Sequence, residues 1–128
     1  MKYSRETDHA PADAVARITK ALADRKFGVL HVHDLKKTLN GKGVPFAPEC
    51  QILEVCNPQQ AAKVLAEDLD LNMALPCRIS VYEKDGKTRI GMLSPKAMLE
   101  QLSDLPALRA VADEVESVLV EAIDEAAA

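Results

Sequence analysis

The sequence predicts one α+β domain: a mixed or mainly antiparallel sheet with a hairpin at 78–93, packed by helices and closed by a long C-terminal helix. Three observations carry this. First, apolar and polar residues alternate on both sides of Asp85-Gly86, the signature of a hairpin with a two-residue turn. Second, Leu105, Leu108, Val111, Ala112, Val115, Val118, Leu119, Ala122 and Ile123 trace one apolar stripe at helical spacing. Third, strand-like and helix-like segments alternate through the first half of the chain. A purely parallel doubly wound sheet has no use for the hairpin, so antiparallel pairing must be present.

Residues 1–7 form a weak strand pattern. Residues 11–26 read as a helix, with Val15, Ile18 and Leu22 on one face and Pro11 at the first helical position. Phe27 to His33 is rich in strand formers. Asp34 caps a short helix through Asn40, with Gly41 as its stop. Residues 41–49 hold two Gly and two Pro and read as a loop. Gln51 to Cys56 is a strand, with Leu53 and Val55 on one face and Ile52, Glu54 and Cys56 on the other.

Asn57-Pro58-Gln59-Gln60 is the clearest local signal. Asn57 is an N-cap, Pro58 takes the first helical position, and Gln60 stands where it closes a capping box. The helix runs to about Leu69 with Ala61, Val64, Leu65 and Leu69 facing inward. In the hairpin, a two-residue turn pairs Val81 with Ile90 and Ile79 with Met92 on one face. It pairs Tyr82 with Arg89 and Ser80 with Gly91 on the other. Tyr82 over Arg89 reads as a cross-strand stacking pair. Pro95 to Leu102 is a short helix, and Ser103 or Asp104 caps the last one. The acidic residues of that helix, Asp113, Glu114, Glu116, Glu121 and Asp124, lie opposite its apolar stripe and read as solvated.

Composition narrows the function. The chain has 128 residues, of which 48% are hydrophobic and 28% charged, enough for one core and one polar surface. With no Trp, two Phe and two Tyr, the core must be aliphatic. The net charge is −4 and the basic residues are dispersed, which argues against nucleic acid as a partner. No apolar run approaches the roughly 20 residues that cross a bilayer, so no membrane partner is expected either. The N-terminus reads as no secretory signal. Three cysteines, an odd and low number, suit a reducing compartment, and a cytoplasmic location is expected.

Few residues invite chemistry. Cys56 precedes the Asn57 cap at the positive end of a helix dipole, a place that favours a thiolate or a bound anion. Its competing reading is a small core residue. Cys77 shares parity with Ile79 and Val81 and reads as a buried thiol. It matters chemically only if an antiparallel neighbour brings it to Cys56. His31 and His33 alternate on one strand and point to one face; with Cys56 beside them they would make a zinc or copper site. Otherwise they are an ordinary surface pair. Cys50 has no expected role. There is no Gly-rich phosphate loop and no nucleophile elbow.

Phe27-Gly28-Val29-Leu30, Ile52-Leu53-Glu54-Val55-Cys56-Asn57-Pro58, Leu75-Pro76-Cys77-Arg78-Ile79-Ser80-Val81-Tyr82-Glu83 and Pro95-Lys96-Ala97-Met98 follow one another in this order along the chain. The set resembles the Domain of Unknown Function 302 family. The resemblance implies a compact α/β domain, often dimeric, mostly bacterial or archaeal, with no established activity. Asn72, Met73 and Ala74 depart from it, standing where the family often has a Gly.

Two functional expectations follow. One is a non-catalytic, homodimeric module that binds a small ligand, an anion or a protein partner at Cys56, Asn57 and Cys77 or on a polar sheet face, with no cofactor. The other is a thiol-redox or metal-handling protein using Cys56 and Cys77, with zinc or copper as the metal.

Overall fold

The computed structural model describes residues 1–128. The hairpin forms where the alternation puts it. Asp85 and Gly86 both take positive φ, +54° and +76°, as a two-residue turn of the twisted type requires. It joins β4 (Cys77–Lys84) to β5 (Lys87–Leu93), and Val81 pairs with Ile90, Tyr82 with Arg89 and Ser80 with Gly91. The other strands are β1 (Lys2–Thr7), β2 (Gly28–Asp34) and β3 (Cys50–Cys56). Their order is β1-β5-β4-β3-β2, and every adjacent pair is antiparallel. The sheet is thus wholly antiparallel, the second of the two expected forms.

The helices are α1 (Pro11–Ala23), α2 (Leu35–Gly41), α3 (Pro58–Glu67), α4 (Pro95–Leu102) and α5 (Pro106–Ala127). A 3-10 helix over Leu69–Ala74 links α3 to β4. Helices α1 and α5 pack on each other and against the strands. Ile18, Leu22, Leu119 and Ile123 meet Leu53, Val55, Ile79, Val81 and Ile90, all of them sealed from solvent. This aliphatic layer supplies the main driving force for folding, each such side chain contributing about 1.5–3 kcal/mol on burial. A smaller cluster of Val64, Leu71, Leu99, Leu108 and Ala112 ties α3, α4 and the 3-10 helix to α5.

Several boundaries differ from the sequence reading. Helix α1 ends at Ala23 because Lys26 takes φ +66° and turns the chain toward Phe27, whose N–H bonds back to Leu22. Helix α2 runs through Gly41, and Gly43, at φ +78°, makes the turn. Neither Ser103 nor Asp104 caps α5. Its first residue is Pro106, and Leu105 stands at the cap with no side-chain bond. Helix α3 stops at Glu67, and Leu69 is 70% exposed instead of inward. The acidic face of α5 is not simply solvated. Asp124 pairs with Arg5, Asp113 with Lys96, and Glu121 and Glu125 with Arg25, while Glu116 accepts from the Ser94 hydroxyl.

The far face of the sheet has a different character. Ser4, Gly91, Ser80, Ile52 and His33 line up across all five strands as one row. Ser4, Gly91, Ser80 and Ile52 of this row, with Arg78 and Tyr82 beside them, help line a shallow valley of about 320 Å³. One flanking row carries Glu6 and Arg89, the other Arg78, Glu54 and His31, so both signs of charge border the valley. Arg89 does not stack on Tyr82; its Nη2 donates to Glu6 Oε1 at 3.0 Å.

Candidate functional site: a cleft at the Cys56 and Cys77 end of the sheet

Antiparallel pairing sets Val55 opposite Cys77, so Cys56 ends β3 one residue beyond the partner of the cysteine that begins β4. The two cysteines therefore reach the same end of the sheet, as the antiparallel alternative required. Both are free thiols. Both line a cleft of about 240 Å³ between that end of the sheet, α3, the segment around the cis Leu75–Pro76 peptide, and α4. Val64, Leu65, Leu75, Pro95 and Leu99 form much of its wall. Asn57 and Gln60 are the polar side chains in its lining, and no charged side chain lines it.

Cys77 also packs against the main core, as its parity with Ile79 and Val81 predicts. Burial pushes its thiol up to about 11, with the nearby Cys56 charge adding to the effect. It stays protonated at neutral pH and is a poor nucleophile and metal ligand there. Cys50 lies away from the cleft, opposite Tyr82; burial raises its thiol too, helped by Asp34.

Asn57 caps α3 as expected, but this changes what the helix start can do. Its Oδ1 accepts from the N–H groups of Gln59 and Gln60 at 3.1 and 3.2 Å. Ala61 N–H bonds to the Asn57 carbonyl at 2.9 Å, and Pro58 has no N–H. No first-turn donor is left for an anion or a Cys56 thiolate, so the two ideas based on the helix dipole lose their main support. The capping box is only half made. Gln60 Oε1 is buried without any hydrogen-bond partner, and Gln60 lines the cleft instead.

The trio His31, His33 and Cys56 is not assembled. Cys56 pairs with Gly28, while a bulge between Val29 and His31 resets the register before the histidines. His31 and His33 contact each other edge to face at 4.4 Å between ring centroids. His33 Nε2 bonds Glu54 Oε1 at 2.9 Å, and this hydrogen bond holds the Glu54 carboxyl below its usual range. No group of three or more His, Cys, Asp or Glu side chains is arranged to hold a metal ion.

Sequence reasoning found Cys56, Asn57 and Cys77 but missed Gln60 and the walls from Pro95, Leu99 and Val115. Gln60 was hidden behind its capping-box position. The apolar wall residues look like any core residue until the fold leaves a gap beside them.

The sequence model of a family described as "Domain of unknown function DUF302" matches residues 3–126. The chain belongs to this family. A protein described as "uncharacterized conserved protein DUF302 from Bacillus stearothermophilus" has a crystal structure similar to it, with a TM-score of 0.93 and 35% sequence identity. The alignment covers 98% of this chain and 97% of that one. No curated protein matches. No helix is long and apolar enough to cross a membrane.

Proposed function

We propose that this chain is a non-catalytic binding module of the cytoplasm, and that the cleft at Cys56, Asn57 and Cys77 takes a small uncharged ligand. The observation that carries this is a 240 Å³ cleft whose 16 lining residues include no charged side chain. Small-molecule sites have this character, mostly apolar with a few polar groups. A charged ligand would lose its hydration there with no countercharge in return. No nucleophile–base pair faces the cleft, which favours binding over catalysis.

The test uses benzofuran as a neutral, flat probe, followed by calorimetry and by shifts in amide resonances. Saturable binding that perturbs Val64, Leu75 and Cys77 is expected. Ala61→Phe should block it, since Ala61 lines the cleft. A wild-type protein that binds neither benzofuran nor other neutral probes of that size would remove the reading.

The dimer belongs to the same reading. The sheet face with the Ser4–His33 row has both charge signs beside a shallow valley, suited to a second copy. Sedimentation at increasing concentration tests it, and a chain monomeric at all concentrations would refute it.

One observation favours a second reading, a thiol or metal role: Cys56 and Cys77 line the same cleft. Titration with Zn(II) and Cu(I), compared with Cys56→Ser and Cys77→Ser, separates the two. Stoichiometric uptake lost in both variants would replace the ligand reading; no uptake would eliminate the metal role.

A further inference from the structure

Gln60 points to the class of ligand, on the condition that the cleft is a ligand site. Its backbone N–H is held by Asn57, so the helix start keeps the residue in place. Its side chain is left over. Oε1 is one of only two buried side-chain N or O atoms that lack a hydrogen-bond partner in the whole protein. The other, Arg89 Nε, belongs to a guanidinium already paired with Glu6. A buried carbonyl without a donor is costly, and most such groups in folded proteins are satisfied. The terminal torsion of a glutamine is broad and soft. Gln60 lines the cleft, so a rotation about that torsion is the movement that would present Oε1 to a ligand there.

The rest of the cleft offers few polar groups, the Cys56 and Cys77 thiols and the Asn57 amide among them. Cys77 is a partly buried thiol, a weak donor. Asn57 Oδ1 is already occupied by two N–H groups. The remaining wall is mainly aliphatic, with Val64, Leu75 and Leu99 prominent. Size sets the other limit. A dry cavity of about 150 Å³ accepts benzene, so this one suits roughly ten non-hydrogen atoms.

We propose that the cleft selects a compact, uncharged, largely apolar molecule bearing a single hydrogen-bond donor, and that Gln60 Oε1 accepts from that donor. Aromatic N–H heterocycles, phenols and short alcohols fit this class. Carboxylates and ammonium ions do not, because no opposite charge lines the site. Selectivity arises from the asymmetry between making this bond and leaving Oε1 buried and unpaired.

The experiment titrates the full chain with indole and with benzofuran. They have nearly the same shape, but benzofuran has an oxygen in place of the indole N–H. Indole is expected to bind about tenfold tighter. In Gln60→Met, which keeps the side-chain length and removes the acceptor, the ratio should fall to about one. Equal binding of the two probes to the wild-type protein overturns the donor assignment and leaves the cleft reading standing. Binding of neither removes the cleft reading, and this inference with it. A tenfold ratio that survives in Gln60→Met also overturns the assignment. The wild-type ratio needs no variant, and Gln60→Leu repeats the variant arm if Gln60→Met fails to fold.

Discussion

Replacing Asn57 tests both the stability of the cleft wall and the chemistry of the helix start. In Asn57→Ala the N–H groups of Gln59 and Gln60 lose their acceptor, which holds them at 3.1 and 3.2 Å. Losing an N-cap costs about 0.5–2 kcal/mol. Two bonds go at once, and α3 has only ten residues, so the upper half of that range applies, about 1.5 kcal/mol. For a domain of this size that lowers Tm by about 4–6 °C. Asn57→Gly should cost only a few tenths of a kcal/mol, because water then reaches the freed N–H groups, roughly as in other caps. Urea unfolding measures all three proteins. The same variants test anion binding. In the wild type the donors are occupied, so phosphate should stabilise no more than chloride at equal ionic strength. In Asn57→Ala and Asn57→Gly the donors are free, and phosphate should recover part of the loss. An Asn57→Ala protein within about 0.3 kcal/mol of wild type would refute the cap energetics. A specific phosphate effect in the wild type, absent from the variants, would refute the claim that the helix start is already satisfied.

Other expectations follow from burial and charge. Cys77 has its thiol raised from 9.0 to about 11, so the folded state holds the proton more tightly than the unfolded state. Its contribution is complete below pH 9 and is lost as pH rises toward 11, up to roughly 2–3 kcal/mol; urea midpoints at pH 8 to 11 should fall, and Cys77→Ala should flatten the slope. Glu54 runs the other way. Its depressed carboxyl stabilises above the usual carboxylate range and loses that contribution as pH falls, and His33→Gln should raise its titration midpoint by NMR. Leu53 is sealed in the central layer, so Leu53→Ala should cost about 2–5 kcal/mol in urea unfolding. Gly91→Ala sets a Cβ 2.9 Å from Ser4 Cβ, so β1 must shift and stability should drop without any change in the cleft's probe affinity.

The fold was legible where one local rule fixed the answer. Asp85-Gly86 and its flanking alternation gave the turn, the register and the two faces together. Asn57-Pro58 gave a helix start, and Pro95 gave another, because a proline at the first helical position needs no tertiary help. Where competing local signals existed, tertiary geometry chose. Ser103 and Asp104 are better caps than Leu105, yet Pro106 sets the start of α5. Leu69 kept the helical apolar rhythm of α3, yet the chain had already bent into the 3-10 helix and left it exposed. Pairing order was beyond the pattern altogether, since the same strands could alternate as parallel or antiparallel neighbours without changing a residue.

The site was legible in its thiols and cap but not in its purpose. Cys56 and Cys77 attract attention because their chemistry is rare, and the fold does bring them to one cleft. Its effect on them is to restrain that chemistry: Cys77 is held protonated, and the helix donors beside Cys56 are taken by Asn57. Gln60 works in reverse. Its sequence position explained it completely as a capping residue, and only the unmade bond at Oε1 sets it apart. A capping pattern specifies which hydrogen bonds are available, while packing decides which are made. Here the cleft borders a glutamine whose capping bond was not made, and on the proposed reading that coincidence, invisible in one dimension, gives the apolar space a direction in which to recognise a ligand.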